Sequence, residues 1–211
     1  MRRTYPALAH LPTTMEVAMN VTEDNKKIAN QLLQAFGGRP DVFRYYDENK
    51  ENSLDILSCK DRPYEGVTAY STIGLSGYEL DPLPDGTQLH LEIAAVCDSR
   101  YTWFPNALLA MSFDVIKAGY GFAPGLVFQH VLADYAQGLD MKHVLFVPAF
   151  FWEQLRAPLA IGGGKQVTWL YAMPISEREH AFAAENGTGQ LGDLFQSHAI
   201  NMFDLNRKSV V

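Results

Sequence analysis

Four strand-patterned segments follow one another between Val42 and Cys97 with no helical period among them, and this run constrains the fold more than any other feature. Val42–Tyr46 is short and aromatic. Ser53–Cys59 alternates around Leu54, Ile56 and Leu57. Gly66–Ile73 is rich in β-branched and aromatic residues, and Gln88–Cys97 sets Leu89, Leu91, Ile93 and Ala95 on one face. Such patterning marks strands. Pro82, Pro84, Asp85 and Gly86 supply the turn before the fourth, because these residue types set or tolerate turn conformations.

Helix-patterned segments stand at both ends and in the middle. Thr22 or Asp24 can cap a first helix, in which Ile28, Leu32, Leu33 and Phe36 recur at helical spacing until Gly37-Gly38. Pro105 opens a second, with Leu108, Leu109, Met111, Val115 and Ile116, ending near Gly119 or Gly121. Ser176 and Glu179 form a capping box for a third, which Gly187 ends, and Thr188–His198 gives a fourth around Leu191, Leu194 and Phe195. Leu126–Leu132, His143–Phe150 and Gln166–Pro174 read as further strands, with Gly162–Gly164 as a loop between the last two. No repeat or low-complexity linker divides the 211 residues. The pattern gives one α+β domain over residues 21–211. Residues 1–20, broken by Pro6 and Pro12, are expected to be a poorly structured leader, and Met15 and Met19 each offer an alternative start. With 47% apolar and 12% aromatic residues the chain can fill a core. No apolar run reaches the roughly 18–20 residues of a membrane helix.

The net charge is −7, and its distribution is uneven. Asp41–Asp98 holds seven aspartates and five glutamates against Arg44, Lys50, Lys60 and Arg62, a net −8, while the rest of the chain nets +1. A nucleic-acid binder needs a basic footprint to displace counterions, so neither a nucleic-acid nor a membrane partner is expected. Cys59 and Cys97 match no metal or redox spacing. With no secretory signal, two buried thiols in a reducing cytoplasm are expected.

Several near-motifs fail on chemistry. Gly74-Leu75-Ser76-Gly77-Tyr78 resembles a nucleophile elbow, but Tyr78 stands where the motif needs glycine, and prolines rather than a helix follow. Gly162-Gly163-Gly164-Lys165 lacks both the earlier glycine and the Ser or Thr of a phosphate loop. His10, His90, His130, His143, His180 and His198 include no helical pair with a glutamate between. Glu177 and Glu179 read as solvated, and the aromatic set Tyr101, Trp103, Phe104, Phe150, Phe151 and Trp152 reads as core or interface. No catalytic, cofactor or metal residue is assigned.

Three blocks carry a resemblance. The first is Val67-Thr68-Ala69-Tyr70-Ser71-Thr72-Ile73-Gly74-Leu75-Ser76, followed closely by Glu79-Leu80. The second is Trp103-Phe104-Pro105-Asn106. The third is Pro174-Ile175-Ser176-Glu177-Arg178-Glu179-His180, followed by Gly187 and Leu191-Gly192-Asp193-Leu194-Phe195. In order and spacing they resemble the suppressor of fused domain in its stand-alone bacterial form. The resemblance covers about Thr22 to the C-terminus.

The resemblance implies a mixed, largely antiparallel sheet flanked by helices and a non-enzymatic protein-binding role. Tyr70, Ser71, Gly74, Leu75, Ser76, Glu79, Trp103, Pro105, Pro174, Glu179, Gly187 and Leu191 are then structural motif positions. Bacterial members resemble immunity proteins, or antitoxins, of polymorphic toxin systems, and their targets are often nucleases. A nuclease carries positive charge to hold phosphates, and an inhibitor presenting carboxylates is steered to it. Asp41, Asp47, Glu48, Glu51, Asp55 and Asp61 are therefore the expected partner-binding residues. A regulatory or scaffolding module of the same fold, and a small-molecule enzyme, stay open as alternatives.

Overall fold

The Thr22 hydroxyl accepts the Asn25 amide at 3.1 Å and starts the first helix, α1 (Glu23–Phe36), which buries Ile28, Leu32 and Phe36. The computed structural model describes residues 21–80, 82, 88, 90–119 and 123–211. The expected leader over 1–20, Leu89, the Pro84-Asp85-Gly86 turn and Gly121 lie outside these residues.

Strands β1 (Asp41–Tyr46), β2 (Ser53–Lys60), β3 (Val67–Ile73) and β4 (His90–Asp98) follow as antiparallel neighbours. Helix α2 (Phe104–Ala118) comes next, with Pro105 its second residue and Gly119 closing it. The chain continues through β5 (Val127–Phe128), β6 (Met141–Pro148), β7 (Leu159–Ala160) and β8 (Gln166–Ser176) into helices α3 (Glu177–Asn186) and α4 (Thr188–Ser197). The sheet order is β1-β2-β3-β4-β8-β6-β5, with β7 also paired to β8. The β4–β8 pairing is parallel and the other six are antiparallel. The fold is the expected α+β class.

The sheet is covered on both faces. Leu91, Ile93 and Ala95 of β4 pack with Phe104, Leu108 and Met111 of α2. Ala94 and Val96 are equally buried on the opposite face, under Ile28 and Leu32 of α1, Ala183 of α3 and Leu191 of α4. Central strands between two layers lose the alternation that a half-exposed sheet would show.

The strand expected over Leu126–Leu132 is confined to β5. At His130 the backbone takes a φ of +60°, and the extended path ends there. Val131 and Leu132 are apolar because they fill the α2-side core from a turn. Gly162–Gly164 forms a tight 3-10 turn, and the Gly162 amide donates to the Asp24 carboxylate at 2.7 Å. That carboxylate occupies the donor a bound phosphate would use.

Residues after α4 form a strap across one end of the sheet, where β4 and β8 finish and β6 begins. The Asp98 amide donates to the Phe203 carbonyl and the Met141 amide to the Leu205 carbonyl. Leu205 is fully buried in the α2-side core.

Candidate partner-binding surface

The β1–β2 hairpin carries the acidic residues, and its register decides which of them face solvent. Arg44 sits directly opposite Asp55. The Arg44 guanidinium donates to both Asp55 carboxylate oxygens, at 2.5 and 2.8 Å, and Asp55 is 7% exposed. The Asp55 bond and charge, against the penalty of burial, hold Arg44 above its ordinary value. Asp55 is therefore committed to its own strand pair and leaves the expected surface set.

Asp47 shapes the turn. Its carboxylate accepts the Glu51 amide at 2.8 Å and the Asn52 side-chain amide at 2.7 Å. Burial pushes this carboxyl up, and the Asn52, Glu51 and Lys50 donors outweigh that and hold it below its ordinary value. Glu48 and Glu51 are exposed beside it, with Lys50 between them. Asp41 and Asp61 are exposed at the other end of the hairpin. Asp61 accepts the Gly66 amide at 2.9 Å. A six-residue strand separates the two groups, roughly 17 Å from Asp41 to Tyr46. The six carboxylates expected together thus divide into a hairpin tip (Asp47, Glu48, Glu51), a base (Asp41, Asp61) and one internal ion pair. Val42, Phe43 and Tyr46 of β1 are 48%, 50% and 41% exposed along the strand that joins tip and base.

The first motif block builds a buried carboxylate cage that sequence reading missed. Glu92 of β4 is fully buried. It accepts the Thr72 hydroxyl at 2.6 Å, the Ser76 hydroxyl at 2.7 Å, and the Gly74 and Ser76 amides at 2.9 and 3.1 Å. Burial pushes its carboxyl up, and these four donors oppose that. Gly74 takes a φ of +102° in this loop, where a side chain would be strained. Ser76 is itself buried with its proton directed at Glu92, and the nearby His90 ring contacts the Ser76 carbonyl rather than its hydroxyl. The arrangement holds a loop and presents no nucleophile. Leu75 is fully buried, Tyr70 packs on Phe104, and Glu79 is exposed. The Trp169 indole donates to the Ser71 hydroxyl at 3.3 Å.

A pocket of about 380 Å³ opens beside this loop, lined among others by Asn25, Arg44, Asp55, Gly74, Tyr78 and Lys165. The second block puts Trp103 flat on Tyr135, with ring centroids 5.6 Å apart. In the third, the Ser176–Glu179 capping box is formed, Gly187 ends α3 at a φ of +89°, and Leu191 is fully buried. Glu179 does more than cap. Its oxygens accept Arg207 Nη1 and Nη2 at 2.6 and 2.8 Å and the Val210 amide at 3.2 Å, while Arg207 Nη2 also donates to the Pro174 carbonyl. The third block is the latch for the C-terminal strap.

Cys59 and Cys97 are buried free thiols in opposite cores, and burial pushes both upward. His130, His143 and Glu177 form the one group among the described residues that could hold a metal ion. No helix among the described residues is long and apolar enough to cross a membrane.

The sequence model of the suppressor of fused protein family matches residues 50–208, which include all three motif blocks. This chain belongs to that family. It is 45% identical over 193 residues to the immunity protein YqcF of Bacillus subtilis (strain 168), covering 92% of this chain and all of that one. A suppressor of fused homolog from Neisseria gonorrhoeae FA 1090 shares the fold at a TM-score of 0.68 and 14% identity, over 89% of this chain and 97% of that one. Drosophila Suppressor of Fused superposes with a TM-score of 0.62 at 15% identity, over 89% of this chain and 51% of its own. A chain of the Sufu–Fu complex gives 0.63 at 14% identity, over 89% of this chain and 92% of that one.

Proposed function

We propose that this protein is an immunity protein that neutralises a cognate toxin by direct binding, without catalysis. The full-length similarity to YqcF carries the reading. The motif chemistry agrees with it. Ser76, Glu92, Glu179 and Arg207 are spent on holding loops and the strap.

The partner surface we assign is the tip and edge of the β1–β2 hairpin. Glu48 and Glu51, with Asp47 beneath them, supply negative charge, and Val42, Phe43 and Tyr46 supply apolar contact area. Asp41 and Asp61 extend the charge at the hairpin base. The fitting partner is a toxin domain with a cationic surface, such as a nuclease, acting in the cytoplasm. Rim charges act mainly on association rate and its salt dependence.

The test is co-expression with the product of the neighbouring gene, followed by growth rescue and association kinetics. Wild type should rescue growth and bind one partner tightly. Glu48→Lys with Glu51→Lys should slow association about tenfold at low salt and flatten its salt dependence. An unchanged on-rate removes the hairpin tip from the interface. A chain that binds several proteins moderately and rescues no growth is a regulatory module instead.

A further inference from the structure

Three of the five described histidines meet at one place, on the side of the sheet away from β1. His143 lies on β6 and is fully buried. The His130 ring, from the turn after β5, is 4.6 Å from it, and the His180 ring, from α3, is 5.2 Å away. Glu177 opens α3, and its Oε2 lies 3.2 Å from His143 Nε2. Glu177 and His180 are three residues apart on one helix, so both project from the same face. One ligand atom from each of His130, His143 and Glu177 falls within 4.8 Å of the others.

We propose that this cluster binds a first-row divalent transition ion of the zinc class, ligated by His130, His143 and Glu177 with His180 as the fourth donor. Imidazoles with a carboxylate suit zinc, cobalt or nickel, whereas calcium takes six or more oxygens and magnesium an octahedral set. Bonds of about 2.0–2.2 Å place tetrahedral ligand atoms roughly 3.3–3.6 Å apart. His143 and Glu177 are already at about that separation. His130 and Glu177 are exposed and can close the remaining distance, while buried His143 fixes the centre. The positive end of the α3 dipole opposes a cation here, and the Glu177 carboxylate offsets it.

The protons dictate one further change. The His130 amide donates to His143 Nδ1 at 3.0 Å, so in the metal-free protein Nδ1 carries no proton and neutral His143 is protonated on Nε2. A neutral imidazole that ligates through Nε2 must carry its proton on Nδ1. Binding therefore moves the ring proton from Nε2 to Nδ1, with no net release from His143, and turns the His130 amide away. His130 holds a left-handed backbone that non-glycine residues adopt at a penalty, so this peptide is suited to move. The bound ion would tie the edge of the sheet at β5 and β6 to α3.

The experiment uses the untagged, chelator-stripped full chain, titrated with zinc chloride by calorimetry near neutral pH and with cobalt chloride by visible absorption. The expected results are one ion per chain and the intense band of four-coordinate cobalt. Zinc at a hundredfold excess over Kd should raise Tm by about 5–10 °C. The exposed variants His130→Ala and Glu177→Gln should each weaken binding roughly tenfold or more, and the His130 amide should lose exchange protection in the zinc-loaded protein. The site is refuted by the absence of zinc binding, or by affinity unchanged in both variants. A His130 amide still protected with zinc bound refutes ligation through Nε2.

Discussion

Glu179→Gln separates the two roles of this residue. Glutamine can still complete the capping box with Ser176, so helix initiation is kept. What is lost is the charge facing Arg207. The Glu179 side chain is fully buried and that of Arg207 is 6% exposed. The guanidinium donates twice to the Glu179 carboxylate, and an amide presents only one acceptor oxygen and two opposing donors. Removing one partner of a buried ion pair costs about 3–5 kcal/mol, which for a domain of this size lowers Tm by roughly 6–20 °C. Urea unfolding followed by the fluorescence of buried Trp169 measures the loss. Limited proteolysis should show the strap after residue 200 cut first. Arg207→Met in the Glu179→Gln background should recover part of the stability, because the stranded cation is gone. A loss near 1 kcal/mol for Glu179→Gln, or strictly additive single and double variants, would refute a coupled buried pair.

Glu92→Gln keeps an acceptor for the three donors that share one carboxylate oxygen but sets an amide against the Thr72 hydroxyl at the other, a loss of about 2 kcal/mol, and a variant melting within about 2 °C of wild type would show that the cage is not held by charge. Asp204 gives a pH signature. Burial pushes its carboxyl up, but the Asn206 amide, the Tyr101 hydroxyl and Arg100 outweigh this and hold it below the ordinary 3.8. The folded state therefore binds this proton less readily than the unfolded one. The stability it adds is complete above about pH 4 and is lost as pH falls through the lowered value. The Tm difference between wild type and Asp204→Asn should be constant at neutral pH and shrink in acid, and a difference that grows in acid would reverse the assignment.

The sequence exposed what is local. The capping box, the glycine that ends α3 and the strands around Gly-Leu-Ser follow from spacing within one element, and the α+β class from the order of such elements along the chain. Long-range pairings were not legible. Glu179 reads as a solvated cap, yet it is fully buried, because its partner Arg207 lies 28 residues away, and Glu92 reads as one polar position in a strand because its four donors come from a different strand and loop. His130, His143 and His180 share no motif spacing, and only the packing of β6, the β5 turn and α3 brings them together. Asp55 is the instructive case. The Asp47–Asn52 turn bond sets the hairpin register, and counting back from it puts Arg44 opposite Asp55. Charge counting ignores register and left Asp55 among the surface acids.

The parallel pairing of β4 with β8 also governs the order in which the molecule can be completed. Strand β4 ends at Asp98 and its partner begins at Gln166, so the middle of the sheet stands open until about 70 more residues have been made. At ribosomal speeds of about 5–20 residues per second this wait is about 4–14 s. During it an apolar strand destined for the interior has one unsatisfied edge, which is a ready template for pairing with another chain. A nascent or truncated product ending before β8 would offer that edge to its neighbours and would have no closed core with which to hold the hairpin in place. Only a chain translated through β8 and the strap closes the core on which the hairpin stands.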